Sequence, residues 1–458
     1  MDYSAANTEL WNFMIQLGII AASILLANFL RRNLSFIRKS LMPVAVLAGF
    51  LLLIVKLTGL IRLDGEILET LVYHGIALGF ISMSLRVPEG KKADGDLTGL
   101  KSGAVIVSTY MVQGIAGLLI TLLLAYTLMP GLFKASGLLL PMGYGQGPGQ
   151  ANNIGSTYEA LGFSGGRSFG LAIAAAGYLV ACIVGVVILN LLARKGKVGA
   201  SRKSENEQHA VDFFQGKDEI PVSDSIDKLS VQIAMVAVVY LATYLAAWGI
   251  TSGLSAAAPG AAATLNTLIW GFNFIIGSGL AMLVRVLLEK GKKAGVIRRQ
   301  YQNNYLLNRI SGFFFDIMIV AGIASINLED IKALWLPFVL LVVIGGIATW
   351  FHLKFVCKAA YPGYYYEGLL SMFGMMTGTI SSGVLLLREI DPDLETPASN
   401  NLVIGSSVGI ILGAPVLILV GLAPKSDLLC WITLGLAFLY MIILDLLILK
   451  VHRRKKSA

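Results

Sequence analysis

Apolar residues in this chain come in long runs, parted by short polar connectors. A helix needs about 20 apolar residues to cross a ~30 Å hydrocarbon core. Eleven runs approach that length: 10–30, 41–61, 68–85, 102–129, 168–193, 231–250, 265–288, 306–326, 333–357, 402–422 and 428–449. Two segments interrupt the rhythm. Residues 131–166, after the fourth run, are rich in Gly and Pro, and residues 362–392, after the ninth, in Gly, Ser and Thr. The pattern predicts an all-α polytopic membrane protein in which both segments are re-entrant hairpins. Gly75 and Gly79 are expected to break the third run, and Lys56 to snorkel from the outer end of the second.

The order of these elements repeats. The polar stretch 194–230 divides the chain into halves of five runs each, with one run left over. Five crossings is an odd number, so the second half starts on the opposite side from the first, and its hairpin opens from that side. Two inverted five-helix repeats are therefore expected, an arrangement found in secondary transporters. The first occupies 10–193 with its hairpin near 131–166, and 194–230 is a cytoplasmic connector. The second occupies 231–424 with its hairpin near 362–392, and 425–458 adds one C-terminal transmembrane helix and a basic tail.

Composition strengthens the membrane reading. The chain is 56% hydrophobic and 14% charged, where soluble proteins carry about 25% charged residues. The net charge of +9 changes the picture only through its placement. Basic residues gather after the odd-numbered runs, as at Arg31, Arg32, Lys91, Lys92, Arg194, Lys195, Lys290, Lys292, Arg453 and Arg454. The positive-inside rule then predicts a multi-pass protein of the cytoplasmic membrane, N-terminus outside and C-terminus inside. No basic patch is interleaved with aromatics, so nucleic acid is not an expected partner. MDYSAANTEL lacks a positive n-region, so no cleaved signal peptide is expected.

Candidate chemistry concentrates in the interruptions. Gly143, Gly145, Gly147 and Gly149 alternate around Pro148 and free the backbone to leave the helix in mid-membrane. Unwound carbonyls there can ligate Na⁺, and half-helix N-termini present amides to an anion. Gln146, Gln150, Asn152, Asn153, Ser156 and Thr157 add neutral donors and acceptors; an outer loop, or glycines that only pack helices, is the alternative. In the second hairpin Gly374, Gly378 and Gly383 break the run, while Thr377, Thr379, Ser381 and Ser382 supply oxygens. Substrate binding is assigned to Gly145, Gln146, Gly147, Gln150, Asn152, Asn153, Thr377, Thr379, Ser381 and Ser382. Cation coupling is assigned to Asp316, His74, Gly143 and Gly378.

Ionisable residues inside spans are costly and are functional candidates for that reason. Asp316 can ligate a cation or take a proton, or pair with Arg309. His74 reads equally as a satisfied interior histidine. Asp445, near the inner end of the last run, is expected to pair with the basic tail. Cys182, Cys357 and Cys430 have neither metal nor disulfide spacing, and the histidines are scattered. No acid, base, nucleophile or metal set stands at diagnostic spacing, so neither an enzyme nor a cofactor is expected. A channel, or a proton-coupled or uncoupled carrier of another small organic anion, stays as an alternative.

At the hairpins the chain resembles the bacterial sodium/glutamate symporter family. The resemblance rests on Gly145-Gln146-Gly147-Pro148-Gly149 before Ala160-Leu161-Gly162-Phe163, and on Leu307-Asn308-Arg309-Ile310-Ser311 opening the eighth run. The Gly/Thr/Ser segment after Tyr361 adds to it, and it covers approximately residues 10–424. It implies a homodimer whose hairpin-bearing transport domains move against a dimerising scaffold. It also implies Na⁺ influx coupled to uptake of glutamate or a similar carboxylate. The chain departs from the family at Gln146 and Pro148, where His and Thr are expected, in its less glycine-rich second hairpin, and at Asp316, in a run usually apolar. These departures bear on the substrate more than on the fold.

Overall fold

The computed structural model describes residues 2–4, 7–39, 41–87, 97–198, 226–257, 266, 269–271, 273–297, 299–391 and 396–456. Among these the chain is all helix and connecting turn, and it is a multi-pass membrane protein. Eight helices are long and apolar enough to span a membrane, or nine with one bent pair taken as a single span. In chain order the first half contributes α1 (Thr8–Asn33), α2 (Val44–Leu57), α3 (Gly65–Leu85), α4 (Thr98–Tyr126), α5 (Pro148–Ala160) and α6 (Gly166–Arg194). Then come α7 (Ile226–Ala257), α8 (Asn273–Lys293), α9 (Asn304–Ser325) and α10 (Trp335–Ala360). Last are α11 (Tyr365–Thr377), α12 (Ile380–Arg388), α13 (Ala398–Leu412), α14 (Ala414–Leu422) and α15 (Asp427–Lys456).

Several expectations need correction. The second run yields α2, only 14 residues long; at 1.5 Å per residue that is about 21 Å, short of a full crossing. Lys56 at its end does not snorkel freely. Its Nζ donates to the carbonyls of Ala324, Ser325 and Ile326 at 3.1, 3.4 and 3.1 Å, where α9 ends. The third run is not broken. α3 is continuous, and its glycines serve contact: a Cβ on Gly75 would lie 3.1 Å from Met318 Cβ, and one on Gly79 2.4 Å from the Phe315 ring.

The tenth run, in contrast, is bent by 51° between α13 and α14. Pro415 follows Gly413 there, lacks an amide, and crowds the carbonyl four residues back. The sixth helix carries one π turn, Val180–Val184. The start of the seventh run, most of the 194–230 connector, and Lys91, Lys92, Arg202, Lys203 and Arg298 lie outside the described residues.

The chain forms two compact units. One comprises Met1–Glu69, Ala93–Arg202 and Ile319–Ala458, and contains both hairpins. The other comprises Thr70–Lys92 and Lys203–Met318. Its core joins Ile81, Leu85, Val236, Val239, Ala281 and Leu307. Polar clamps hold it as well: Asn304 exchanges two hydrogen bonds with the Val87 backbone, at 2.8 and 2.7 Å.

Candidate functional site: the meeting of two hairpin tips

The first hairpin enters along α4. Its arm is a 3-10 turn (Lys134–Leu138) and a π turn (Pro141–Gly145). Backbones touch here: a Cβ on Gly117 would stand 2.0 Å from the Gly137 carbonyl oxygen. The reversal comes at Gly147, with φ 84° and ψ −175°, a conformation suited to glycine. Pro148 follows as the first residue of α5, where its missing amide costs nothing. No side chain caps this N-terminus.

The second hairpin is tighter. α11 ends at Gly378, Thr379 is extended (φ −141°, ψ 175°), and α12 begins at once. The two helices fold back on each other through glycine. A Cβ on Gly383 would lie 2.5 Å from the Ser371 carbonyl oxygen, and one on Gly374 2.9 Å from the Gly383 Cα. α12 too begins without a side-chain cap.

The tips meet. A Cβ on Gly147 would be 3.9 Å from Thr379 Cγ2, and one on Gly177 of α6 would be 2.3 Å from the Thr377 carbonyl oxygen. Gln113 of α4, fully buried, joins them: its Nε2 donates to Met376 O at 2.8 Å and to Thr349 Oγ1 at 2.9 Å. The Oε1 of the same side chain lies against Gly145, 3.0 Å from where a Cβ would stand.

Polar atoms here are buried yet without hydrogen-bond partners: Gln113 Oε1, both polar atoms of Gln150, Thr379 Oγ1 and Ser382 Oγ. Each such atom costs about 1–3 kcal/mol, and folded proteins pair nearly all of theirs. These atoms concentrate beside two uncapped helix N-termini. Neither helix has an acidic residue in its first turn. The amides and positive dipole ends suit an anionic group such as a carboxylate.

The assigned residues divide accordingly. Gly145, Gln146, Gly147 and Gln150 lie at or beside the first tip, and Gln146 is half-buried. Asn153 is buried on the same face of α5 as Gln150. Asn152 stands about 200° around the helix from Gln150 and points elsewhere. At the second tip Ser382 is buried, but Ser381 is exposed. Thr377 spends its hydroxyl on Phe373 O at 2.8 Å, so its carbonyl is what faces α6.

Gly143 packs on α6, a Cβ there falling 2.8 Å from Ala174 N, and Gly378 shapes the turn beside Ser382. Asp316 and His74 belong to the other unit. Asp316 is exposed in mid-α9 and makes no described ion pair with Arg309, whose guanidinium lies 5.1 Å from the Tyr305 ring centre. His74 Nδ1 is 2.5 Å from the Tyr240 hydroxyl, which Asn273 also reaches at 3.3 Å.

Two features escaped the sequence reading. One is Gln113. The other is the setting of Asp445, whose expected partners in the tail have side chains outside the described residues: the Ser108 hydroxyl donates to its carboxylate, and His352 Nε2 stands 3.0 Å from that hydroxyl. Each is a lone polar residue in an apolar run, the available signal. Among the described residues no three His, Cys, Asp or Glu side chains group as a metal site. Comparison with protein-family models and with curated proteins finds no match for this chain.

Proposed function

We propose that the protein is a sodium-coupled secondary symporter that imports glutamate or a related carboxylate by elevator-type alternating access. The observation that carries this reading is the meeting of two buried hairpin tips, with uncapped helix N-termini and unpaired neutral polar atoms. In this reading the amides opening α5 and α12 hold the solute carboxylate, and Gln150, Thr379 and Ser382 hold its other polar groups. Na⁺ is ligated by backbone carbonyls at the two helix breaks, around residues 146–147 and 377–379.

Hairpins placed after the fourth and the ninth apolar runs of the sequence support the inverted-repeat plan. The unit with both hairpins then serves as the moving domain and the other as the dimerising scaffold. The N-terminus lies outside and the C-terminus in the cytoplasm.

Uptake of labelled glutamate into proteoliposomes, with and without an inward Na⁺ gradient, tests this directly. Accumulation that collapses when the gradient is dissipated is the expected result. Failure of folded protein to accumulate glutamate under that gradient removes the substrate assignment. Equal accumulation without Na⁺ removes the coupling ion.

A further inference from the structure

Three helices place polar side chains at one point inside the hairpin-bearing unit: Ser108 of α4, His352 of α10 and Asp445 of α15. Ser108 is fully buried, and the His352 and Asp445 side chains are only 8% and 16% exposed. Asp445 lies on the helix that stands outside the five-helix repeats. This is not the arrangement of a Ser-His-Asp catalytic triad, in which the acid sits behind the imidazole on Nδ1. Here imidazole and carboxylate share one hydroxyl, with Nε2 3.9 Å from the carboxylate Oδ1.

The hydroxyl has one hydrogen, so the chain Nε2–Oγ–Oδ1 has two polarities. When Ser108 donates to an ionised Asp445, His352 Nε2 carries a hydrogen and donates to Oγ. When Asp445 is protonated, it donates to Oγ and Ser108 donates to a bare Nε2. With Nδ1 also protonated, two hydrogens moving one step each convert the first state into the second and leave His352 neutral, its hydrogen on Nδ1. A proton taken from water at Nδ1, where no hydrogen bond is described, is thereby delivered to Asp445. The next contact along the same two helices is Gln113 with Thr349, and Gln113 also holds Met376 O at the second hairpin tip.

We propose that Ser108, His352 and Asp445 form an intramembrane proton-binding site, which loads one proton and passes its occupancy to the second hairpin through Gln113 and Thr349. The link to solute rests on the symporter reading; the proton site does not. Other ionisable groups on the surrounding helices are Lys101, Tyr110 and Tyr126 on α4, Lys354, Cys357 and Lys358 on α10, and Asp427, Cys430, Tyr440 and Lys450 on α15, whose last residues, His452, Arg453, Arg454, Lys455 and Lys456, have side chains outside the described residues. α11 carries Tyr365, Tyr366 and Glu367 in its first turn, and α13 carries none. Ser108 joins His352 and Asp445 directly, so the three titrate as one coupled unit.

The test is infrared pH-difference spectroscopy of the protein in lipid vesicles, with neither solute nor Na⁺ gradient. Wild type minus Asp445→Asn should contain one carboxylic-acid carbonyl band that titrates in a single step. In Ser108→Ala and His352→Gln its midpoint should move by about one pH unit or more. A difference spectrum without a titrating band overturns the site, as does a midpoint unmoved in both bridging variants. A second arm follows glutamate uptake against external pH, where Asp445→Asn should flatten the wild-type profile. An unchanged profile in that variant overturns the link to the hairpin. Loss of all glutamate uptake in wild type, with the band intact, faults the symporter reading and leaves the proton site standing.

Discussion

The hairpin-bearing unit contains two buried polar regions of opposite character. At Ser108, His352 and Asp445, polar groups from three helices satisfy one another. At the hairpin tips, Gln150, Thr379, Ser382 and half of Gln113 go without partners. The first arrangement ties helices together. The second costs folding energy, about 1–3 kcal/mol for each unpaired atom, and so calls for a return in binding. Gln113 belongs to both: its Nε2 joins α4 to α10 and the second hairpin, while its Oε1 stays open.

The harshest way to break the comparison is to push the tips apart. Gly177→Ala puts a methyl 2.3 Å from the Thr377 carbonyl, a backbone atom that cannot swing aside. Overpacking of this kind costs about 1–3 kcal/mol, which predicts roughly a 10- to 100-fold loss of glutamate uptake. Gly249→Ala is the control, because nothing stands within 4 Å of a Cβ there. Equal uptake by both variants would show that the second tip need not seat closely on α6.

The next test sets the two regions against each other. Gln150→Leu removes two unpaired polar atoms, so its melting temperature should hold or rise while uptake falls about tenfold. Ser108→Ala strips a partner from both Asp445 and His352, and leaving such groups unpaired costs about 1–3 kcal/mol. Its melting temperature should fall. The reverse order of stabilities would show that the tips are structural and the triad is not. A smaller contrast lies within the second hairpin. Ser382→Ala should weaken uptake several-fold, and Ser381→Ala, at an exposed position, should leave it unchanged.

Sequence made the reversal at Gly147-Pro148 legible, because Gly and Pro each permit a local conformation that few residues share. It made the apolar spans legible for the same kind of reason: length and composition are local properties. Gly75 and Gly79 misled because a glycine in an apolar run reads alike whether it breaks the helix or receives Phe315. The shortness of α2 went unseen, since residues 58–61 remain apolar enough to extend the run past the helix end at Leu57. Ser381 and Ser382 were indistinguishable until the start of α12 set which one turns inward. Contacts that span 244 and 337 residues, Ser108 to His352 and to Asp445, leave no periodic trace in one sequence.

The smallest effect concerns the other end of α15, where the tether is an exposed ion pair rather than a buried network. Lys134, beside the first hairpin, pairs with Asp427, and its ammonium also sits 4.8 Å from the Tyr126 ring centre. The hydrogen bond to Asp427 raises the Lys134 pKa above that of a free lysine. A raised cationic pKa means that the pair's contribution is fully present below the free-lysine value of about 10.4, and is lost as pH climbs through the folded value. Exposed pairs are weak and screened by salt. Lys134→Ala should therefore lower the melting temperature slightly at pH 7 in low salt, and less in high salt. The difference from wild type should vanish once the pH passes the raised value, because both proteins then lack the charge. A gap that persists unchanged at that pH would assign the contribution of Lys134 to the packing of its aliphatic stem, and α15 would owe its attachment at this end to contact alone.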